Sequence, residues 1–265
     1  MLNTTQKLNP GVFSESIEQA PIRKGFGEGL VLAADAHKEV VGLCADLTES
    51  TQMHLFKAKY PERFLEMGIS EQNMASVASG MAAMGKIPFI TSYAMFSPGR
   101  NWEQIRTTIC YNNVPVKIIG SHAGISVGPD GGTHQAIEDI AITRVIPRMV
   151  VIAPCDIHEA RKATVAVSKT PDPTYLRLSK QNTPVISTLA TPFEIGKGAI
   201  FFKSARAIDV AILSTGALTY QALMAAKQLD TEGVGVIVAH FATIKPLDTK
   251  LIDQLVHEAK ALVTV

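Results

Sequence analysis

The amino-acid sequence predicts an α/β protein in which a doubly wound, mostly parallel sheet is followed by a partial second α/β domain. From residue 21 onward, short β-branched runs alternate with longer segments of helical period, as in a parallel sheet covered on both faces. The stretch QNTPVISTLATPFEIGKG is rich in Pro, Thr and Ser, and we interpret it as a linker. The alternation restarts after it, which predicts the second domain.

The first domain is predicted to contain six strands and six helices. The strand segments are residues 40–45, 63–68, 87–92, 116–120, 149–154 and 174–179. The helical segments are residues 21–37, 52–59, 71–84, 101–111, 136–143 and 156–169. Ligands of open parallel sheets bind outside the carboxyl ends of the strands, so we expect the functional residues in the loops that follow strands.

The chain after the linker is predicted to form four more strands and two helices. The strands are 199–202, 209–214, 234–240 and 261–265, and the helices are 217–229 and 248–260. We therefore divide the chain into a first domain, residues 1–190, and the start of a second domain, residues 191–265. The chain stops on the strand pattern ALVTV with nothing after it to cover that strand, so we expect the second domain to be incomplete.

Composition argues against several classes of function. Lys and Arg number 25 against 24 Asp and Glu, so the net charge of +1 provides no field to attract nucleic acid or an anionic membrane. The start MLNTTQKLNP lacks a signal-peptide pattern, and no apolar run is long enough to span a bilayer. Cys44, Cys110 and Cys155 form no CxxC pair, which is typical of buried thiols in a reducing cytoplasm. We expect a cytoplasmic globular protein.

The motif DLTES follows the predicted strand 40–45. Asp46 and Ser50 at the carboxyl end of a strand can direct polar groups into a shared crevice. Turns and helix N-caps use the same residue types, so a purely structural interpretation is open as well.

The motif MGISEQNM lies where the strand 63–68 leads into the helix 71–84. Glu71 falls in the first helical turn, where a carboxylate complements the helix dipole. We expect Met67, Ile69 and Met74 to surround this carboxylate with apolar surface. Such surroundings favour the protonated acid, which is useful where a proton must be shared.

Aromatic residues follow the strand 87–92 in SYAMFSPGRNW. Tyr93 and Phe96 could form a flat-walled slot for a ring, although aromatic residues after a strand are often part of the core.

The loop GSHAGISVGPDGGTHQ combines glycines with titratable side chains. Asp130 followed by two glycines requires a tight turn, and glycines let the main chain approach a ligand closely. His122, Asp130 and His134 bring two imidazoles and a carboxylate to one place, which predicts acid–base or binding chemistry. Metal binding is an alternative, but no HxH or HExxH pair supports it.

Three basic residues complete the set of candidates. Arg23 starts the first helix, and Arg177 and Lys180 lie in YLRLSKQN at the end of a strand. Isolated basic residues usually belong to a solvated surface, but at element ends that face one crevice they could bind a phosphate. The glycine cluster GFGEG has no preceding strand, so it fails the dinucleotide fingerprint, and the chain has no GxxxxGK[ST] loop.

Taken together, these motifs resemble those of the thiamine-diphosphate enzymes, most closely the pyrimidine-binding half of transketolase. The resemblance covers residues 21–183, and the later residues are similar to the start of the family's C-terminal domain. GISEQNM is similar to the segment that carries the cofactor-binding glutamate, and DGGTHQ is similar to the family's DGxTHQ loop. DLTES and LSKQN favour transketolase over deoxyxylulose-phosphate synthases and the β subunits of pyruvate dehydrogenase.

The resemblance implies roles for the candidate residues in transfer of a two-carbon ketol unit between sugar phosphates. Glu71, Asp130 and His134 would be catalytic. The thiamine diphosphate would contact Glu71, Tyr93, Phe96 and Asp46. Sugar phosphates would contact Arg23, Ser50, His122, Asp130, His134, Lys180 and Arg177. Lys180 stands where the family has an arginine, and the family's third pyrimidine aromatic has no clear match near Gly99 and Arg100.

The resemblance also implies a partner chain. In the family, a GDG motif and a following asparagine pair hold the diphosphate and its Mg²⁺ or Ca²⁺, and this sequence contains no GDG. We expect one subunit of a split transketolase, active only with an N-terminal partner and assembled on a homodimer core or as a heterotetramer. The alternatives are a deoxyxylulose-phosphate synthase or ketoacid dehydrogenase β subunit, and a non-catalytic regulatory partner.

Overall fold

The computed structural model describes residues 1–265. The strands are β1 (Gln19–Pro21), β2 (Val40–Cys44), β3 (Phe64–Glu66), β4 (Ile87–Tyr93), β5 (Lys117–Ser121), β6 (Val150–Ile152), β7 (Thr174–Arg177), β8 (Asn182–Pro184), β9 (Ala199–Lys203), β10 (Val210–Ser214), β11 (Val236–His240), β12 (Thr243–Lys245) and β13 (Ala261–Thr264). The helices are α1 (Ile22–Ala36), α2 (His54–Lys59), α3 (Glu71–Ala83), α4 (Trp102–Gln104), α5 (Asp139–Arg144), α6 (Ile157–Val167), α7 (Thr219–Thr231) and α8 (Thr249–Glu258).

The first unit is built on a seven-stranded sheet in the order β12-β6-β7-β5-β4-β2-β3, and every neighbouring pair except β12 with β6 is parallel. Successive strand residues point to opposite faces of a sheet. Phe89 of β4 accordingly joins a core with α1 and α6, whereas Ile90 joins a second core with α3 and Ile109. Covering both faces of the sheet with helices gives the doubly wound α/β arrangement that the sequence predicts.

The second unit has a four-stranded sheet in the order β13-β10-β11-β9, in which only β9 is antiparallel to its neighbour. Its core joins these strands to α7 and α8. The α/β prediction for this part of the chain is therefore confirmed as well.

The two units exchange segments in a way that the sequence pattern does not predict. β12 lies along the chain between β11 and β13 of the second unit, yet it pairs antiparallel with β6 at the edge of the first sheet. The N-terminal residues lie on the second unit: Asn3 donates its backbone N–H to the Phe201 carbonyl over 2.9 Å, and Leu8 and Val12 are buried in the core of that unit. Within the predicted linker, β8 pairs antiparallel with β1.

Two predicted helices differ from the structure in form. The segment 101–111 begins as the short helix α4 and continues as a π-helix over Ile105–Tyr111. The helix predicted at 136–143 begins only at Asp139, because the glycine-rich loop extends further than the helical pattern indicates. Cys44, Cys110 and Cys155 are free thiols and buried, as predicted. None of the helices combines the length and the apolar character needed to cross a membrane.

Candidate functional site

The candidate site lies at the carboxyl edge of the first sheet. β2, β4, β5 and β7 are neighbours in this sheet and run parallel, so the loops that follow them emerge at the same edge. The loops after β4, β5 and β7 carry most of the predicted site residues. The amino end of α3, which follows β3, adds Glu71.

Glu71 is the first residue of α3, and only 1% of its side chain is exposed. Its two carboxylate oxygens have different partners. The Ser92 hydroxyl donates to Oε1 over 3.1 Å, and Arg100 Nη1 donates to Oε2 over 2.6 Å. The Asn101 side-chain amide donates to the Glu71 backbone carbonyl over 3.2 Å. These contacts hold the start of α3 against the segment that follows β4.

The expectation that Met67, Ile69 and Met74 together surround Glu71 with apolar surface is therefore wrong in part. Ile69 is 75% exposed and turns away from the protein, although Met74 is buried as expected. The carboxylate is paired with a guanidinium and a hydroxyl instead, which is the usual way for a protein to bury a charged group.

Aromatic rings from two loops form a cluster beside Glu71. The Tyr93 and Phe96 rings lie 6.4 Å apart with an angle of 15° between their planes. His122 stacks on Tyr93 with 3.9 Å between ring centroids, and His134 meets the edge of Phe96 at 5.2 Å. The structure thus brings together the aromatic pair and both histidines that the sequence analysis takes from separate motifs.

His122 is buried at the end of β5 and shares a hydrogen bond of 2.8 Å between its Nδ1 and the Ser121 hydroxyl. Burial, and then the positive charges of Arg23 and Lys180, lower the pKa of His122 to about 3. The ring is therefore neutral at physiological pH, and the charge of this pocket comes from its two cationic neighbours.

Arg23 and Lys180 are tied to each other and to the glycine-rich loop. Arg23 donates Nη1 to the Lys180 carbonyl, while its buried Nε has no partner within the chain. Burial lowers the pKa of Arg23. Lys180 donates Nζ to the Val127 carbonyl over 2.8 Å and lies 3.6 Å from the Asp130 carboxylate. A buried, unpartnered donor beside a neutral histidine and a lysine is a suitable place for an anionic oxygen.

The loop itself consists of two short 3-10 segments, Ile125–Asp130 and Gly132–His134. Gly128 and Gly131 have φ angles of 70° and 78°, a left-handed conformation that glycine adopts without steric strain. Asp130 is exposed, and His134 is half-buried with its Nδ1 2.9 Å from the Thr133 hydroxyl. Both side chains can therefore reach a ligand at the sheet edge.

Arg177 is engaged in a different network. Its Nε donates to Asp139 Oδ2 over 2.9 Å, and the Tyr175 hydroxyl donates to the same oxygen over 2.6 Å. The strand β7 ends at Arg177, and Lys180 lies in the loop that follows it. The Arg177 side chain also lies near the glycine-rich loop after β5. A Cβ added to Gly124 of that loop would come within 3.1 Å of Arg177 Nη2.

Asp46 and Ser50 lie in the loop after β2 and make no side-chain hydrogen bond or ion pair with the other candidate residues. Asp46 is exposed, and its backbone N–H donates to Glu66 Oε1 over 2.8 Å. Glu66 also accepts hydrogen bonds from the Thr48 hydroxyl and the Gly68 backbone. Glu66 thereby fixes both the DLTES loop and the approach to α3, a role that the sequence analysis does not identify.

Solved structures share this fold. The chain superposes on a structure described as "Split gene transketolase, inactive beta4 tetramer" with a TM-score of 0.85 and 38% identity, over 94% of this chain and 80% of that one. The fold is therefore that of the transketolase class.

Family comparisons lead to the same class. Residues 18–185 match the family described as "Transketolase, pyrimidine binding domain", and residues 203–265 match "Transketolase, C-terminal domain". The first match covers more than half of the chain, so this chain belongs to the transketolase family. Family membership implies dependence on thiamine diphosphate.

Two relatives show which part of a transketolase the chain resembles. A Methanocaldococcus jannaschii protein described as a transketolase C-terminal section is 42% identical over 233 residues, covering 87% of this chain and 73% of the relative. A 6-deoxy-6-sulfo-D-fructose transketolase subunit from Clostridium sp. (strain MSTE9) is 33% identical over 252 residues, covering 95% and 77%.

The residues near the start of α3 fit the aminopyrimidine half of thiamine diphosphate. Glu71 offers a buried carboxylate, and Tyr93 and Phe96 offer ring faces close to it. The sequence has no GDG motif, and the buried cluster of potential metal ligands, Cys155, Glu159 and His240, lies where the two units meet and includes none of these residues. The donor set therefore fits the ring of the cofactor but not its diphosphate.

Proposed function

We propose that this chain is the C-terminal subunit of a split transketolase, which transfers a two-carbon ketol unit from a ketose phosphate to an aldose phosphate. The observation that carries the proposal is the buried carboxylate of Glu71 at the amino end of α3, beside an aromatic cluster and a pocket with two cationic side chains.

Glu71 is proposed to hold a proton at the ring nitrogen of the aminopyrimidine. Thiamine diphosphate supplies the carbanion stabilisation that ketol transfer needs. Ser92 keeps the carboxylate in place through its hydrogen bond. Tyr93 and Phe96 are proposed to flank the pyrimidine ring, and Asp46 to lie near the cofactor.

The loop after β5 is proposed to handle the sugar. Asp130 and His134 would bind hydroxyl groups of the ketose and assist proton transfer as its carbon–carbon bond breaks. Arg23, Ser50, His122 and Lys180 would bind the phosphate. Arg177 would support this pocket while it remains tied to Asp139.

The partner of this chain is proposed to be an N-terminal transketolase subunit that holds the diphosphate and its Mg²⁺ or Ca²⁺. The coenzyme would then lie between chains, in an assembly with a homodimer core or in a heterotetramer. Residues 1–190 would form the pyrimidine-binding domain and residues 191–265 would belong to the C-terminal domain. A cytoplasmic role in the pentose phosphate pathway is part of the same proposal.

The test is ketol transfer from xylulose 5-phosphate to ribose 5-phosphate by the reconstituted pair of subunits. We expect Glu71→Gln to lower turnover by about 10²-fold or more, because the loss of one acid–base group has an effect of this size. Glu62→Gln is a matched control, since the Glu62 side chain is 67% exposed and precedes β3, at the sheet edge opposite the site.

Three outcomes would contradict the proposal. Near-normal turnover by Glu71→Gln would remove Glu71 from the mechanism. Turnover of pyruvate in place of xylulose 5-phosphate would favour a deoxyxylulose-phosphate synthase or a ketoacid dehydrogenase subunit. The absence of thiamine diphosphate binding, even with the partner present, would favour a regulatory role.

A further inference from the structure

Arg100 contacts both Glu71 and Phe96, the two residues that are proposed to bind the pyrimidine ring. Its Nη1 lies 2.6 Å from Glu71 Oε2, and its guanidinium carbon lies 4.5 Å from the centroid of the Phe96 ring. One planar cation therefore bonds the carboxylate and stacks near the aromatic ring at the same time.

The base of this side chain is fixed while its tip is accessible. The Arg100 backbone N–H donates to the Phe96 carbonyl over 3.0 Å. A Cβ on Gly99 would lie 1.9 Å from the Met95 carbonyl oxygen, so the tight turn before Arg100 depends on a glycine. The Arg100 side chain is 44% exposed, whereas Glu71 is 1% exposed. The guanidinium can leave towards solvent, but the carboxylate cannot follow it.

A guanidinium and an aminopyrimidine present similar chemistry to this pocket. Both are planar and both stack on aromatic rings, and the aminopyrimidine presents an N–H to a carboxylate, as a guanidinium does, when its ring nitrogen holds the proton. A buried carboxylate without a partner is strongly unfavourable, so Glu71 needs one donor or the other at all times.

On this basis, and resting on the proposed function, we propose that Arg100 is a resident substitute for the aminopyrimidine of the coenzyme. Its guanidinium pairs with Glu71 in the free chain and must swing out when the coenzyme ring enters. Arg100 is thus a positioning residue that lowers coenzyme affinity and keeps the site formed before assembly.

The proposal predicts opposite effects of one substitution on two properties. Arg100→Ala removes the competitor, so the dissociation constant of the assembled complex for thiamine diphosphate with Mg²⁺ should fall about tenfold, the scale of coupling between close charge pairs. The same change leaves Glu71 with the Ser92 hydroxyl but without its charged partner, so the free chain should unfold at a lower temperature. Arg100→Lys keeps the charge but lacks the planar guanidinium. Its affinity for the coenzyme should therefore lie between those of the wild type and Arg100→Ala.

The experiment is isothermal titration calorimetry of the complex of both subunits with thiamine diphosphate and Mg²⁺, together with thermal unfolding of this chain alone. Arg106→Ala is the control, because Arg106 is an exposed arginine of the same segment outside the proposed site. In a Glu71→Ala background, Arg100→Ala should have little effect on affinity, because no ion pair is left to break.

The possible results separate the two proposals. Tighter binding by Arg100→Ala, lost in the Glu71→Ala background, supports the substitute role. Weaker or unchanged binding by Arg100→Ala, in a complex that binds the coenzyme and transfers ketol units, overturns this inference and leaves the proposed function standing. A wild-type complex that binds no thiamine diphosphate overturns both.

Discussion

At the scale of single residues, burial and then two cationic neighbours set the protonation of His122. A neutral imidazole between Tyr93 and two cationic side chains can donate a hydrogen bond without adding repulsion between like charges. Arg23 and Lys180 therefore supply the positive charge of this pocket, and His122 supplies a neutral, directional hydrogen bond.

The low pKa of His122 predicts a pH-dependent stability. Its folded pKa of about 3 lies below an unfolded value of about 6.5, so the unfolded state binds the proton first as pH falls. Stability should therefore be highest above pH 6.5 and decline as pH falls through the window down to about 3. His122→Asn should flatten this part of the curve, measured by chemical denaturation at several pH values. Parallel curves for variant and wild type would contradict the assignment.

Sequence reasoning identifies residues whose neighbours along the chain form a motif, and it misses those defined by distant partners. Glu71, Tyr93, Asp130 and His134 belong to such motifs. Arg100 meets a carboxylate 29 positions away, and Glu66 binds a backbone group 20 positions away. No local pattern in the chain marks either contact.

At the scale of elements, close packing of α1 on α6 explains the glycine cluster GFGEG. A Cβ at Gly25 would lie 2.0 Å from the Ile157 carbonyl oxygen, and one at Gly29 would lie 2.7 Å from the Arg161 carbonyl oxygen. The glycines let the two helices approach until backbone meets backbone. A cluster that fails as a nucleotide-binding motif thus has a packing function.

Gly25→Ala is expected to destabilise the protein by about 1–3 kcal/mol or more, because the added methyl group must push α1 away from α6. Gly80→Ala on α3 is the matched control. Nothing lies within 4 Å of the position of its Cβ, so the better helix propensity of alanine should make it neutral or stabilising by up to about 1 kcal/mol. Guanidinium denaturation of both variants tests this, and equal stabilities would contradict the packing argument.

The strands and long helices are predictable because their hydrophobic period is local. β2, β4 and β5 are each centred on adjacent apolar residues, and each is a mostly buried strand of the first sheet. β1, β8 and β12 have only three residues each, and each exists because a distant strand offers it hydrogen bonds. A strand of three residues is too short for a hydrophobic period to be recognised in the sequence.

At the scale of the whole molecule, a buried pair holds the two units together. His240 at the end of β11 lies 2.8 Å from the carboxylate of Glu159 on α6, and its other ring nitrogen bonds the Thr219 hydroxyl. Cys155 donates its backbone N–H to the same carboxylate over 2.7 Å. Burial raises the pKa of Glu159, but the charge of His240 and these hydrogen bonds lower it more, so the net direction is downward.

Glu159→Gln should destabilise the protein by about 1.5–3 kcal/mol at neutral pH, the usual range for hydrogen bonds to a charged group. Because the folded pKa of Glu159 is depressed, its contribution is present above the unfolded value of about 4.3 and is lost as pH falls below it. The gap between variant and wild type should therefore shrink in denaturation curves at pH 3.5. The exposed Glu194, changed to Gln, is the control, and a gap independent of pH would contradict the argument.

The exchange of segments between the two units has a consequence for biosynthesis. As the nascent chain leaves the ribosome, residues 1–13 emerge before the strand β9 that will cover them exists. The edge of the first sheet also stays open at β6 until β12 has been translated. Neither unit can therefore reach its final form until strands of the other unit, β9 for residues 1–13 and β12 for β6, have been translated.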